Sequence, residues 1–579
     1  MTIGTVITST AESFDYVIST DATNNGVSAY GALIATISRG QIMLAQTSSI
    51  DMESLASGDK VMQQVIAESG RGFPGFSRAN DLYVAKADIL SVAEELSLSP
   101  SRLRLPPAGE APVYLIGDCP ALPSDGLLGR LQPFSALPES DMHFGIVGHD
   151  IQDDQARISV ITKDSRPEQE GGHGEGKFLF VCGRSGSRKT IEALKVICLT
   201  LAKNPSMGFL SIDPKGELYD SNKFVIQEGV KEFRHYDLMC AEGANESEAV
   251  ELRHIRLTDP DILVRQLRRY FAEGLKISES HKDEESKALA AAQEFSRVFM
   301  NDRRSQIRPE RFTPNAFAEG ELAAAVRTGY SEPEGRHANN AADKVGRNFD
   351  TPFARRIMAD IITMFTGDET DSELLEEVAK HGRRVFLRFD PSQDAVVVKA
   401  TVASLMQQLK DSLMSDYYGN AGAGTVANFM LAMEEAHTFL PSRDLIGDDK
   451  DLAEIRRVTI DAVTKLRAMG AHFVFITQSA SNFESKVVEQ CSTKLIGKGL
   501  ESGSAADRSL LEKVLGRKGF KSYAAASRAC GLDDAVFALS GDLCNLRIGG
   551  DGCVVYRPIE GNITGQIQAL NPHIYGEGQ

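Results

Sequence analysis

The sequence predicts an α/β chain: a parallel sheet carrying a phosphate loop, preceded by a small all-β domain. Three observations predict it. Phe178–Cys182 (FLFVC) is a short apolar run rich in β-formers; after it come the Gly-rich turn Gly183–Thr190 (GRSGSRKT), an apolar helical run over Ile191–Leu201 and a second strand-like run over Gly208–Ile212. Asn428–Met433 (NFMLAM) reads as another buried strand and ends on two acids, Glu434 and Glu435. Finally, residues 1 to about 165 hold short apolar patches separated by Gly, Pro, Asp and Ser, the spacing of a small β-domain or barrel.

The turn at 183–190 nearly fits the phosphate-loop pattern GxxxxGK[ST]. Gly183, Lys189 and Thr190 stand at their places, with Arg184, Ser185, Gly186 and Ser187 between, but Arg188 occupies the position of the second Gly. In such a loop, backbone N–H groups and the helix N-terminus face the phosphates. Lys189 is then expected to reach the terminal phosphates of ATP, and Thr190 to ligate Mg²⁺. Gly before the Lys permits unusual dihedrals and close backbone approach, so Arg there strains the loop or crowds the phosphates. The simpler alternative is a Gly/Ser turn that binds nothing.

Composition bounds the rest. At 579 residues the chain is too long for one core, and about three or four domains are expected. A formal charge of −17 argues against indiscriminate nucleic-acid binding but leaves room for DNA in a locally basic channel. The eight cysteines form no CxxC pair and no zinc-like spacing with His, so buried reduced thiols are expected. The start, MTIGTVITSTAESFDY, has neither the basic nor the apolar region of a signal peptide, and no run approaches the roughly 20 apolar residues of a membrane span. A cytoplasmic protein with no membrane partner is the expectation.

In residues 1–165, strand candidates are Phe14–Ile18, Ile42–Ala45, Asp81–Ala85, Val113–Ile116, Phe144–Val147 and Ile158–Ile161; helical periodicity is confined to Met52–Glu68 and Ile89–Leu96. Asp213-Pro214-Lys215-Gly216-Glu217 follows a strand end, where open sheets place ligand loops, although Asp-Pro and Gly also suit a plain turn. Residues 242–345 change to charged helical stretches, including Ile262–Leu275 and Glu284–Phe299, with an Arg-rich segment over Asn301–Thr313. Arg265, Arg268, Arg269, Arg303 and Arg304 there could meet DNA phosphates, but solvated helix faces are the favoured reading. Arg384–Phe389 and His472–Ile476 are further strands, Val396–Met414 and Asp451–Met469 further helices. Gln478, just past the tip of the strand at His472–Ile476, suits a residue that senses a terminal phosphate or orients water. Ala505–Leu515 reads as helix, and Phe537–Tyr575 as short strands and turns.

The ordered set GRSGSRKT, SIDPKGEL, FMLAMEEAHTFLP and FVFITQSASNFESKVVEQCSTKLI resembles the HerA branch of the HerA/FtsK superfamily of ring-forming DNA-pumping ATPases, over roughly residues 140 to 510. The resemblance implies a RecA-like core with an N-terminal β-barrel (1–165), the core in two parts (166–241 and 346–510), a helical insertion (242–345) and a C-terminal brace (511–579). It implies ATP and Mg²⁺ as cofactors, a homo-hexamer around double-stranded DNA, and an effector partner such as a nuclease or a sirtuin-like NAD hydrolase, in antiphage defence or DNA repair. By position, Lys189 and Thr190 match the phosphate-loop pair, Glu434 and Glu435 the acids (Glu434 standing where Asp is usual), and Gln478 the strand-tip residue. Arg467, in LRAMGAH, matches the Arg of the family's GRKFG segment and is the candidate for an arginine acting on a neighbouring subunit's ATP, with Arg456 and Arg457 as fallbacks. His437 follows the acids as in the family. Three rivals stand beside this: an ATP-inactive ring scaffold for a partner effector, a coupling ATPase of a conjugation or secretion system, and a metabolic kinase.

Overall fold

The computed structural model describes residues 2–19, 32–54, 81–94, 105–115, 118–121, 143–147, 157–159, 163–166, 172–225, 234–237, 253–275, 287–294, 321–348, 369–389, 395–419, 427–447, 450–529, 535–541 and 553–559, with residues 296, 352, 356, 361, 364, 365, 561, 563, 565 and 567 besides. Arg303 and Arg304 lie outside these residues.

The chain begins as the expected barrel. Strands β1 (Thr2–Ser9), β2 (Ser13–Ile18), β3 (Leu33–Ser38), β4 (Gln41–Ser54), β5 (Asp81–Glu94) and β6 (Pro112–Leu115) close in the order β1-β2-β5-β4-β3-β6. Closure leaves no unpaired edge. The β3–β4 hairpin turns on Arg39 and Gly40, whose φ values of 55° and 72° are the paired left-handed conformation of a tight two-residue hairpin turn. Ile3, Phe14, Tyr16, Ile34, Met43 and Val113 fill a core of its own. Two helical expectations are corrected here. Met52 and Ile89 lie in β4 and β5, whose register shifts twice, between Leu44 and Ala45 and between Thr47 and Ser49. Those bulges break the alternation that marks a strand in sequence. The remainder of Met52–Glu68, from residue 55, lies outside the described residues, as do residues 95 and 96.

The other strands share one sheet of thirteen among the described residues. β7 (His143–Val147) and β8 (Arg157–Ser159), expected in the barrel domain, belong to this sheet instead. After them come β9 (Phe178–Cys182), helix α1 (Lys189–Lys203), β10 (Gly208–Asp213), α2 (Glu217–Val225), β11 (Arg234–Asp237), β12 (Arg253–Arg256), α3 (Pro260–Leu275), α4 (Glu321–Thr328), α5 (Arg336–Asn348), β13 (Glu369–Thr370), α6 (Asp371–His381), β14 (Arg384–Arg388), α7 (Ala395–Gly419), β15 (Phe429–Met433), α8 (Arg443–Ile446), α9 (Lys450–Ala468), β16 (His472–Thr477), α10 (Ser485–Gln490), β17 (Thr493–Gly497), α11 (Ala505–Ala529), β18 (Phe537–Gly541) and β19 (Val554–Pro558). The order is β13-β12-β11-β14-β10-β15-β16-β9-β17-β18-β19-β7-β8. From β13 to β17 every pairing is parallel, and from β17 to β8 every pairing is antiparallel.

The central strands are apolar throughout because both faces are covered. Leu179 and Val181 point to the layer of α1, with Leu194 and Ile197, while Phe178 and Phe180 point to the layer of α7 and α9, with Leu405 and Leu466. That is the alternation of a strand read on its two sides. The segment expected as a helical insertion supplies α3, α4 and α5, but also β12, a strand next to the sheet edge that is too short and polar to stand out in sequence. α11 carries on past the expected Leu515 and is broken at Gly516, where φ 71° and ψ 158° are non-helical.

The barrel is joined to this sheet. Ala35, Ile42 and Leu44 share a core with Phe537, Val554 and Tyr556. Gln46 donates from Nε2 to the Val555 carbonyl at 3.0 Å and accepts from the Val555 N–H at Oε1 at 3.1 Å, taking the place of a strand partner for β19.

Candidate nucleotide site

The site lies where α/β sheets usually place ligands, beyond the carboxyl ends of the parallel strands. Register fixes which residues meet. Cys182 of β9 pairs with Thr477 of β16, Phe475 with Met433 of β15, and Met433 with Ile212 of β10. The residues just past these tips are therefore level: the loop from Gly183, then Gln478, Glu434 with Glu435, and Asp213. β16 lies between the loop strand β9 and the acid strand β15, so Gln478 emerges between the loop and the acids.

The loop turns sharply. The Gly183 N–H donates to the Thr477 carbonyl at 3.3 Å, and the Ser187 N–H to the Arg184 carbonyl at 3.1 Å. A Cβ on Gly183 would lie 2.4 Å from Ser187 Oγ, so this position needs glycine. Gly186 has φ 80°. Arg188 has φ 63° and ψ 21°, the left-handed conformation that the pattern's Gly adopts freely and an L side chain adopts at a cost of about 1–2 kcal/mol. Its side chain is exposed, as are those of Arg184 and Ser185. Arg188 therefore occupies the glycine position by straining the backbone while its side chain turns to solvent. Arg184 reaches the Ser502 carbonyl at 3.1 Å and packs along Gly499, fastening the loop to the segment after β17. Helix α1 starts at Lys189, and both Lys189 and Thr190 are buried.

Opposite the loop, Glu434 has no exposed surface, and neither carboxylate oxygen has a hydrogen-bond partner. Burial holds its carboxyl up, to about 8, against the pull of Lys189, and the nearby Asp213 pushes the same way as burial. Asp213 Oδ2 caps α2, accepting from the Leu218 and Tyr219 N–H groups at 2.9 and 3.1 Å, while Oδ1 is unpartnered. Burial raises Asp213 to about 6, against those backbone bonds. An anionic oxygen pair with no donors is costly unless protonated or bound to a cation, so Glu434 fits a metal position. Among the described residues no group of three or more His, Cys, Asp or Glu side chains suits a metal, so a cation at Glu434 would need other ligands, such as the Thr190 hydroxyl or a phosphate.

Glu435 is held differently. Its backbone is left-handed, at φ 50° and ψ 43°. Oε1 accepts from both Lys215 Nζ and Gln478 Nε2, each at 2.6 Å, whereas Oε2 has no hydrogen-bond partner and lies 3.5 Å from His437 Nδ1. His437 Nδ1 is itself 3.0 Å from Thr477 Oγ1, and burial lowers the ring's proton affinity despite Glu435. No local pattern in the sequence gives Lys215, from the DPKGE turn, a role, because its pairing with Glu435 depends on the β10–β15 register.

The candidate arginines lie elsewhere. Arg467 sits at the amino end of β9: its carbonyl accepts from the Gly176 N–H at 3.0 Å, its guanidinium is 3.5 Å from Glu175, and it lies over the Phe178 ring at 5.8 Å. The five residues of β9 separate it from the loop by about 16 Å, at roughly 3.3 Å per residue. Arg456 bonds Glu484 and the Pro441 carbonyl, and Arg457 pairs with Glu454 on the surface of α9. Arg265 lines an open cleft of about 400 Å³ between α3, α7 and α9, facing acids as well as bases.

No protein-family model matches the sequence, and no curated protein matches it. Among solved structures it is similar to the genome packaging NTPase B204 of Sulfolobus turreted icosahedral virus 2 in complex with ATP-γS, at 10% identity and TM-score 0.26, over 66% of this chain and 98% of that one. It is also similar to the plasmid coupling protein TrwB in complex with the ATP analogue ADPNP, at 14% identity and TM-score 0.34, over 66% and 87%. VirB4 of Thermoanaerobacter pseudethanolicus matches at 10% identity and TM-score 0.35, over 73% and 97%. Identities and scores at this level carry no functional argument, and the site rests on its own geometry. Among the described residues no helix is long and apolar enough to cross a membrane.

Proposed function

We propose that this chain is an ATP hydrolase of the HerA/FtsK kind. The observation that carries the reading is the convergence at neighbouring strand tips of the phosphate loop, the buried unpartnered Glu434, and Glu435, whose Oε2 has no hydrogen-bond partner. Lys189 and the loop N–H groups hold the phosphates of ATP. Glu434 and Thr190 would hold Mg²⁺, which would neutralise phosphate charge. Gln478 orients a water, and Oε2 of Glu435 takes its proton as the oxygen bonds to the γ-phosphorus and the bond to the β-phosphate oxygen breaks, giving ADP and phosphate. In the fuller form of the reading, six copies form a ring, Arg467 acts on the next subunit's ATP, and hydrolysis drives double-stranded DNA past an effector enzyme such as a nuclease or NAD hydrolase.

The test is ATP binding and turnover by this chain, Arg188→Gly and Glu435→Gln, with and without double-stranded DNA, alongside sedimentation. Turnover that Glu435→Gln abolishes without loss of binding supports the hydrolase. Binding by neither this chain nor Arg188→Gly, in the presence of DNA and partner, rejects it. A particle that stays monomeric at all concentrations rejects the ring.

A second reading is favoured by the left-handed Arg188: a ring scaffold that regulates its effector without turning over ATP. Turnover by Arg188→Gly alone, with full effector activity in the ATP-free complex of this chain, selects it.

A further inference from the structure

Lys215 stands on the Asp213–Gly216 turn, where Gly216 has φ 73° and donates to the Asp213 carbonyl at 3.3 Å. The turn is fixed, but the Lys215 side chain is 52% exposed and so can move, whereas Glu435, at its other end, is 7% exposed and held by a strained backbone. Lys215 and Gln478 both donate to Oε1 of Glu435, so a cation and an amide share one oxygen. At 2.6 Å the ammonium occupies a carboxylate oxygen of Glu435 and ties that side chain to the turn. The Glu435 contact also raises the proton affinity of Lys215, chiefly through the hydrogen bond, so Lys215 is a full cation here.

Resting on the ATP-hydrolase reading above, we infer that Lys215 is a positioning residue that moves between two anions. Without nucleotide it pairs with Glu435 and holds that base in check. When a nucleoside triphosphate fills the 183–190 loop, its terminal phosphate draws the Lys215 ammonium across the strand tips, and Glu435 keeps only Gln478 and the water. The phosphate is the stronger competitor because it carries about two charges on three oxygens, against one on the carboxylate. The ammonium is a compact charge on a four-carbon stem, suited to such an exchange. A fixed salt bridge would instead pair Lys215 with Glu435 in both states.

The difference is open to zero-length cross-linking. Carbodiimide treatment of the full-length chain should give a Lys215–Glu435 amide, identified by peptide mass spectrometry. Saturating Mg–ATPγS should lower its yield about tenfold, the change that 1.4 kcal/mol of preference for phosphate produces. The exposed pair Lys513–Glu489, 2.5 Å apart on α11 and α10, is the internal control and should be unchanged. Binding of ATPγS is followed in the same samples by calorimetry, for this chain and for Arg188→Gly. Nucleotide bound with the cross-link undiminished overturns the exchange while leaving the hydrolase reading standing. No nucleotide bound by either chain overturns the hydrolase reading, and the exchange with it. Lys215→Arg, which keeps the charge, should retain at least half the turnover of the parent chain; turnover equal in Lys215→Ala and the parent also overturns the exchange.

Discussion

The Glu434 N–H donates to the Ile212 carbonyl at 3.0 Å, and this one bond sets the acid of β15 beside Asp213 of β10. Both acids then sit in a space that water does not reach, which is why burial lifts Glu434 from an ordinary 4.5 to about 8. Without a cation the carboxyl is mostly protonated at neutral pH, so binding Mg–nucleotide must release its proton. Affinity for Mg–ATPγS should rise with pH, by up to tenfold per pH unit below about 8, and level off above it. Glu434→Gln should bind more weakly at high pH and lose that part of the slope. Calorimetry from about pH 6.5 to 9 on both chains measures it, and parallel profiles would refute the metal position.

Arg188 offers a second test. Its left-handed backbone costs about 1–2 kcal/mol, and glycine removes that cost while giving back about 0.5–1 kcal/mol in chain entropy. Arg188→Gly should therefore change folding stability by no more than about 1.5 kcal/mol. Its effect on nucleotide should be larger, because glycine leaves no side chain at the position where the loop backbone approaches the phosphates. About tenfold tighter ATPγS binding is expected. Thermal melts with and without ATPγS separate the two effects, and equal ligand-induced shifts in both chains would count against any obstruction by Arg188.

The parts legible in the sequence are those written by local rules. Runs such as Phe429–Met433 and His472–Thr477 are apolar because both sheet faces are covered, and each delivers its polar residues at its tip. What was not legible depends on distance or irregularity. Lys215 and Glu435 lie 220 residues apart, and only sheet register brings them together. β11, β12 and β13 are short edge-side strands of sequence RHYD, RHIR and ET, with no apolar run to announce them. Leu90, the extra residue of a bulge in β5, breaks the strand alternation where the sequence shows helical periodicity.

Glu192 predicts how stability responds to pH. It lies fully buried on α1, one turn past the loop, accepting from the Tyr556 hydroxyl at 3.3 Å and lying 3.6 Å from Lys195. Burial raises it from 4.5 to about 7, against the pull of Lys195 and Tyr556. The folded chain therefore holds this proton more tightly than the unfolded chain. Its stabilising contribution is complete below about pH 4.5 and is lost as pH rises through about 7. Glu192→Gln mimics the protonated form at every pH. It should match the parent near pH 4.5 and exceed it at about pH 8 to 9, by on the order of 3 kcal/mol. Denaturant melts across that range measure the gap, and a gap independent of pH would show that Glu192 is ionised throughout.

Gln46 carries the last prediction, on how the barrel is held. Its amide satisfies both backbone groups of Val555, which is buried in β19. Gln46→Ala leaves that N–H and carbonyl without partners and costs about 2–6 kcal/mol in all, at roughly 1–3 kcal/mol for each buried group left unpaired. The barrel itself should survive, since its core of Ile3, Phe14, Tyr16 and Ile34 does not involve Gln46. The loss should fall on docking: β19 and the shared contacts of Ala35, Ile42 and Leu44 should exchange amide hydrogens faster, while β1 and β2 exchange as before. Gln46→Glu discriminates further: below its own titration the carboxylic acid accepts from the Val555 N–H and donates to its carbonyl, so it should approach the parent, whereas the ionised carboxylate cannot donate and should fall toward Gln46→Ala. Uniform acceleration across barrel and sheet would mean that Gln46 supports the barrel's fold rather than its attachment.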